Sequence, residues 1–145
     1  MLTTIITSAV VSLVVSLITL YLVQPITGQK QLIGEIDVAT RQYSTAPPRV
    51  AEWRTQGEKE AAKVKAEEAT QELLRLSPQL GASPATFPAR GKYYSIFEPL
   101  AVSRENVSNA ASELTEWAYS IRMGDSQAAQ RHRLEVIKAL DLPRD

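Results

Sequence analysis

Hydrophobic and polar positions change period several times along the chain, and the first block has no charged face. Residues Leu2 to Val23 carry no charged side chain, and 13 of these 22 are Leu, Ile or Val. As a helix rising about 1.5 Å per residue the block spans roughly 33 Å, which is one bilayer crossing and more than a buried core helix of a small domain needs. A cleaved signal peptide would carry a basic leading region, a shorter apolar core and a small-x-small cleavage site. Here only Met1 and Leu2 stand ahead of the run, and Tyr21-Leu-Val-Gln-Pro-Ile-Thr-Gly28 after it offers no such site. The expectation is a retained transmembrane anchor over residues 1–24, with Tyr21 at the interface.

From residue 25 onward helical periods take over. Leu32/Ile33, Ile36, Ala39/Thr40 and Tyr43 recur at three- and four-residue spacings, predicting an amphipathic juxtamembrane helix joined to the anchor through a kink at Pro25. Pro47 and Pro48 end it, and a long helix is expected from Val50 to about Leu76. Its apolar seam runs Val50, Trp53, Gly57, Ala61, Val64 and then shifts to Ala62, Ala66, Ala69, Leu73 and Leu76, a set with heptad spacing. Residues 77–102 hold Pro78, Pro84, Pro88 and Pro99, with Gly81 and Gly91, and predict a long Pro- and aromatic-rich loop. Within it Tyr94, Ile96, Phe97 and Leu100 are expected to plug the end of a bundle on a short helix from about Lys92. Ser103 is a candidate N-cap for a helix with inner face Val107, Ala110/Ala111, Leu114, Trp117/Ala118 and Ile121, stopped by Gly124. Asp125 or Ser126 caps a last helix whose inner face reads Ala129/Gln130, Leu134, Ile137 and Leu140. The fold class is therefore all-α, with an N-terminal transmembrane helix followed by a soluble bundle of about four helices over residues 25–145. Trp53 and Trp117 are expected near its centre.

Composition narrows the chemistry. The chain has 145 residues, 16 Lys and Arg against 16 Asp and Glu, no cysteine and one histidine. Zero net charge removes the basic surplus that phosphate backbones require, so nucleic acid is not an expected partner. Disulfides and thiolate metal sites are excluded, as is any site needing two histidines. No nucleophile motif, Gly-rich phosphate loop or metal-ligand spacing is present, so no catalytic residue, cofactor or metal is assigned and the chain is not read as an enzyme. His132, between Arg131 and Arg133, reads as a surface residue. Arg90-Gly-Lys92 is too short to mark a phosphate site without a helix N-terminus behind it. Asn106-Val-Ser108 fits the glycosylation pattern but falls within a predicted helix. Lys30 and Arg41 follow the anchor within about 20 residues, while the N-terminal side offers none beyond the α-amine, which places the soluble body in the cytoplasm.

Two stripes of small residues are the candidate helix contacts. Thr4, Ser8, Ser12 and Ser16 recur every fourth residue on one face of the anchor, a spacing that lets another helix approach closely. The alternative is that each hydroxyl bonds its own i−4 carbonyl and faces lipid. Ala62, Ala66 and Ala69 form the second stripe. The anchor followed by Ile33-Gly-Glu-Ile-Asp-Val-Ala39 and Tyr43, with a later helix opening at Ser103-Arg-Glu-Asn106, resembles a loose group of prokaryotic single-pass membrane proteins of unassigned activity. That resemblance implies the anchor-plus-helices layout and a prokaryotic origin. The function expected is a membrane-anchored helical interaction or scaffold protein, such as a small subunit of a membrane complex. Its partners are the bilayer and a second copy or another membrane protein. The alternative is a membrane-active, phage- or toxin-like protein.

Overall fold

The computed structural model describes residues 1–46 and 55–144, and among them it is all helix, without a strand. α1 (Leu2–Ile18), a π-helical turn (Thr19–Val23) and α2 (Gln24–Gln42) follow one another as an unbroken rod of 41 residues. The turn has a local cause in Pro25. Proline has no N–H to give Tyr21, and its ring collides with that carbonyl in a regular α-turn. Widening the preceding turn relieves the collision, and Gln24 N–H reaches back five residues to the Thr19 carbonyl.

The rod has two characters on either side of that turn. No residue of α1 is buried, and the rod that it opens, Leu2–Gln42, is long and apolar enough near the N-terminus to cross a membrane. α2 instead buries Pro25, Gln29, Ile36, Ala39 and Thr40 against the other helices. Those are α3 (Gln56–Ala82), the four-residue α4 (Tyr94–Phe97), α5 (Arg104–Met123) and α6 (Ser126–Ala139), with two 3₁₀ turns at Ser83–Thr86 and Pro88–Gly91. α3 lies along α5, and α5 against α6, while α2 closes the bundle by packing on α3 and touching α6. Trp117, Leu114, Leu73, Leu76, Leu80 and Ile36 are fully enclosed at its centre.

α3 departs from expectation at both ends. Val50, Trp53 and the two prolines before them lie outside the described residues. The helix opens at a capping box, in which Thr55 Oγ1 accepts from Glu58 N–H at 3.2 Å and Glu58 accepts from Thr55 N–H at 2.8 Å. It then runs past Leu76 and through Pro78 to Ala82. One lost i→i−4 bond at Pro78 is offset by what the extra turn buries. Leu80 is fully enclosed, and Ser77 Oγ, just before the proline, donates to the Ala111 carbonyl at 2.6 Å. Of the expected first seam, the described residues Gly57, Ala61 and Val64 face solvent. The second seam is the one used, from half-buried Ala62 through Ala66 to fully buried Ala69, Leu73 and Leu76.

α5 and α6 follow their signals more closely. Ser103 Oγ accepts from Asn106 N–H, Gly124 ends α5 in the left-handed region at φ 75°, and Asp125 accepts from Ala128 N–H. Along α6 the expected inner residues Ala129, Ile137 and Leu140 are buried, but two others of that set are not. Gln130 and Leu134 are exposed, while Arg133 and Val136 turn inward. Arg133 does so because its Nε donates to the Thr40 carbonyl at 2.6 Å. That carbonyl belongs to the last turn of α2, where the helix leaves acceptors unpaired and its dipole favours a cation.

The core assignment yields a contrast between two large side chains. Trp117→Ala should cost about 3–5 kcal/mol, whereas Leu134→Ala should stay within about 0.5 kcal/mol. Denaturant unfolding of the full chain in detergent micelles, followed by circular dichroism, checks both. Equal losses would mean that the α6 phase described here is wrong.

Candidate functional site

The feature that sets this chain apart is the junction where the apolar rod meets the bundle. One turn past Pro25, the Gln29 side chain enters the protein and is only 3% exposed. Its Nε2 donates to Ser83 Oγ at 3.0 Å and to Tyr94 OH at 2.7 Å, and its Oε1 accepts the Val102 N–H at 3.2 Å. Tyr94 OH passes its own proton on to the Val102 carbonyl. Both amide hydrogens and the amide oxygen are used, so a buried carboxamide is left with no unmet donor. This pairing also fixes which end of the amide is nitrogen.

The loop half of the junction is built to present Tyr94. Phe87 meets the Tyr94 ring edge-on, with centroids 4.8 Å apart at 88°, and Phe97 lies 5.6 Å from Phe87. The Arg104 guanidinium sits 5.5 Å from the Tyr94 ring centre and donates to the Gly91 carbonyl. Ala89, Arg90 and Gly91 all take positive φ, at 55°, 55° and 78°. At Gly91 a Cβ would fall 2.4 Å from the Pro84 carbonyl oxygen, so only glycine permits the loop to close on the Ser83–Thr86 turn. Burial pushes the Tyr94 hydroxyl above the usual tyrosine range, against the Gln29 hydrogen bond that lowers it. It is therefore a neutral structural donor.

Beside the junction lies an open groove of about 560 Å³, lined by Leu20, Gln24, Pro25 and Gly28 of the rod and by Ser83 and Thr86 of the loop. The groove runs along the rod as far as Glu35, and the loop meets the rod at the level of Gln29. This corrects the expected plug. Tyr94 is buried and Phe97 half-buried, but Ile96 and Leu100 stand 68% and 64% exposed, and Phe87 takes the inner place. Four residues make about one helical turn, so two apolar side chains can face in only if their neighbours face out.

Farther along α2, Arg75 of α3 joins the two helices. Its Nη2 reaches Glu35 at 2.8 Å and Glu72 at 2.7 Å, and Nη1 reaches Gln79 at 3.2 Å. The Arg75 hydrogen bond holds the Glu72 carboxyl below its usual range, although solvent screens this exposed cluster and limits its worth. His132 is enclosed more than a surface residue would be, with Nδ1 2.6 Å from Glu113 Oε2 across α5 and α6.

The two small-residue stripes are not brought together. Ser8, Ser12 and Ser16 are exposed on α1, whereas Ala66 and Ala69 pack within the chain's own bundle. Hydroxyl bonds to i−4 carbonyls occur at Thr7 and Thr19, neither of them on the serine stripe. Gln29 escaped notice in the sequence because it is polar, although it stands in phase with Ile33, Ile36 and Thr40. Among the described residues no three His, Asp or Glu side chains are placed to hold a metal. No protein family, curated protein or solved structure matches the chain.

Gln29→Ala leaves the Tyr94 and Ser83 hydroxyls and the Val102 N–H short of a partner, at about 1–3 kcal/mol for each buried group so abandoned. Amide exchange should quicken by at least about tenfold across 83–102 and stay unchanged in the middle of α5. Uniform acceleration in both regions would show that Gln29 supports the whole bundle and not the junction. The junction should also fail at high pH. Tyr94 is neutral when folded and its pKa is raised, so its stabilisation is full below the ordinary value of 10.0 and is lost as pH rises through the raised one. Phenolate absorbance against pH should show two of the five tyrosines, Tyr43 and Tyr94, titrating late, since burial raises both, and Tyr94→Phe should remove one of the two.

Proposed function

We propose that this chain is a single-pass membrane-anchored helical scaffold, in which α1 crosses a bilayer and α2 to α6 form an interaction body on the cytoplasmic side. The observation that carries the reading is that α1 buries none of its residues while continuing without a break into a helix that the bundle holds at both ends. Each large aliphatic side chain taken out of water contributes about 1.5–3 kcal/mol, and the described residues offer α1 no protein surface to provide it. Lipid is the partner of matching chemistry. The exposed Ser8, Ser12 and Ser16 face supports a second copy or another membrane protein as the next partner. Lys30 and Arg41 beyond the anchor support the cytoplasmic side. A membrane-lytic role would need little more than the anchor, so the enclosed core around Trp117 supports tethering instead.

A chain without cysteine gives a clean background for a topology measurement. Gln127→Cys puts one thiol on the exposed surface of α6. The protein should stay with membranes through alkaline carbonate extraction, and the thiol should resist an impermeant maleimide until cells are lysed. Release by carbonate would remove the anchor from the proposal. Labelling in intact cells would keep the anchor and move the body to the other face.

A further inference from the structure

The anchor fixes where the bilayer must be, and this gives meaning to the side of the loop that the bundle leaves uncovered. Gln29 lies six residues beyond Val23, about 9 Å along the rod, against a headgroup layer of roughly 5–8 Å on each side of the hydrocarbon. Tyr94 is hydrogen-bonded to Gln29, and Thr86 shares a groove with Leu20 of the apolar run. The loop therefore stands at the outer edge of the headgroup layer, within a side chain's reach of it. There it exposes Tyr93, Ile96 and Leu100, which are 49%, 68% and 64% open, while Tyr94 is buried and Phe97 half-buried. The charge pattern is complementary. Between residues 85 and 102 the exposed charges are Arg90 and Lys92, while the one acid, Glu98, is half-buried and accepts the Arg104 backbone N–H at 3.1 Å.

We infer that the outer face of this loop, formed by Tyr93, Ile96 and Leu100 and flanked by Arg90 and Lys92, is a second membrane contact that rests in the headgroup layer of the bilayer crossed by the anchor. The inference rests on the anchored reading above. Tyrosine at the interface keeps its ring in the acyl boundary and its hydroxyl in water, and aliphatic side chains on an interfacial turn gain from leaving water without crossing the bilayer. Arg90 and Lys92 supply cations at the level of the lipid phosphates. The loop does not need to refold to do this. Gly91 locks it to the Ser83–Thr86 turn and Gln29 locks it to the rod, so the contact is presented ready-made. With the anchor it gives the body two points of attachment, which sets its tilt over the membrane.

The test uses the full-length chain in vesicles of phosphatidylcholine with a minority of phosphatidylglycerol. Single cysteines carrying a nitroxide replace Ile96, Leu100, Val11 or Gln127. The first two and Gln127 are exposed on the body, so the label displaces no packing, and Val11 marks the middle of the anchor. Collision with oxygen relative to a water-soluble nickel chelate reports depth. At Ile96 and Leu100 that ratio should exceed the Gln127 ratio several-fold and stay below the Val11 ratio. If Val11 is lipid-buried but Ile96 and Leu100 behave like Gln127, the loop contact is wrong and the anchor stands. If Val11 also behaves like Gln127, both fall together. Spin–spin broadening at Ile96, or protection from both reagents there, would put a second copy of the chain on this face in place of lipid and overturn the inference.

Discussion

The buried Gln29 carboxamide holds together parts that have no other reason to meet. A side chain near the foot of an apolar helix must be either wet or fully paired, because an amide lacking partners beside lipid or protein costs several times what a satisfied one returns. Here it is paired with the hydroxyls of Ser83 and Tyr94 and the N–H of Val102, which come from three places spread over twenty residues. Those three can converge only if α3 ends where it does, if the left-handed turn at Ala89 to Gly91 folds back on Pro84, and if α5 begins at Ser103. The bundle's end is therefore organised around a polar cluster that also fixes the rod.

The opposite end of α2 is held by a different device with the same logic. The Thr40 carbonyl, unpaired within its helix, receives the Arg133 side chain from α6. A cation buried at a helix C-terminus is favourable where a cation in an apolar core would not be. This explains why α6 turns Arg133 inward and leaves Leu134 in solvent, a choice that runs against hydrophobicity alone. Arg75, which ties α2 to α3 from the surface, is screened by water and adds less.

Most of the helical layout was legible in the chain, because its signals are local. The Ser103 and Asp125 caps, the Gly124 stop and the heptad spacing of Ala62 to Leu76 each act within a turn or two, and each holds in the folded protein. The Thr55–Glu58 capping box was equally readable and marks the true start of α3, against an expectation drawn from two prolines upstream. What resisted reading depends on distant partners. Pro78 stays helical where Ser77 and Leu80 find buried partners, and the inward turn of Arg133 needs Thr40, ninety-three positions away. The junction was hardest of all. Hydrophobic patterning marks residues that leave water and is silent about a glutamine that does so by hydrogen bonding, and it counts Ile96 and Leu100 as core although a single turn has no second side to bury them.

The rod from Leu2 to Gln42 has a mechanical corollary. It is continuous through the π-helical turn, gripped near its middle at Gln29 and at its end by Arg133. A helix held at two levels cannot swivel independently of what holds it. Rotation or piston movement of α1, such as a neighbour engaging one of its faces would impose, is handed to the bundle as rigid-body torque instead of dissipating in a flexible tether. The chain is therefore built as a crank, with the exposed apolar half of the rod as its shaft and its arm on the body that the shaft turns.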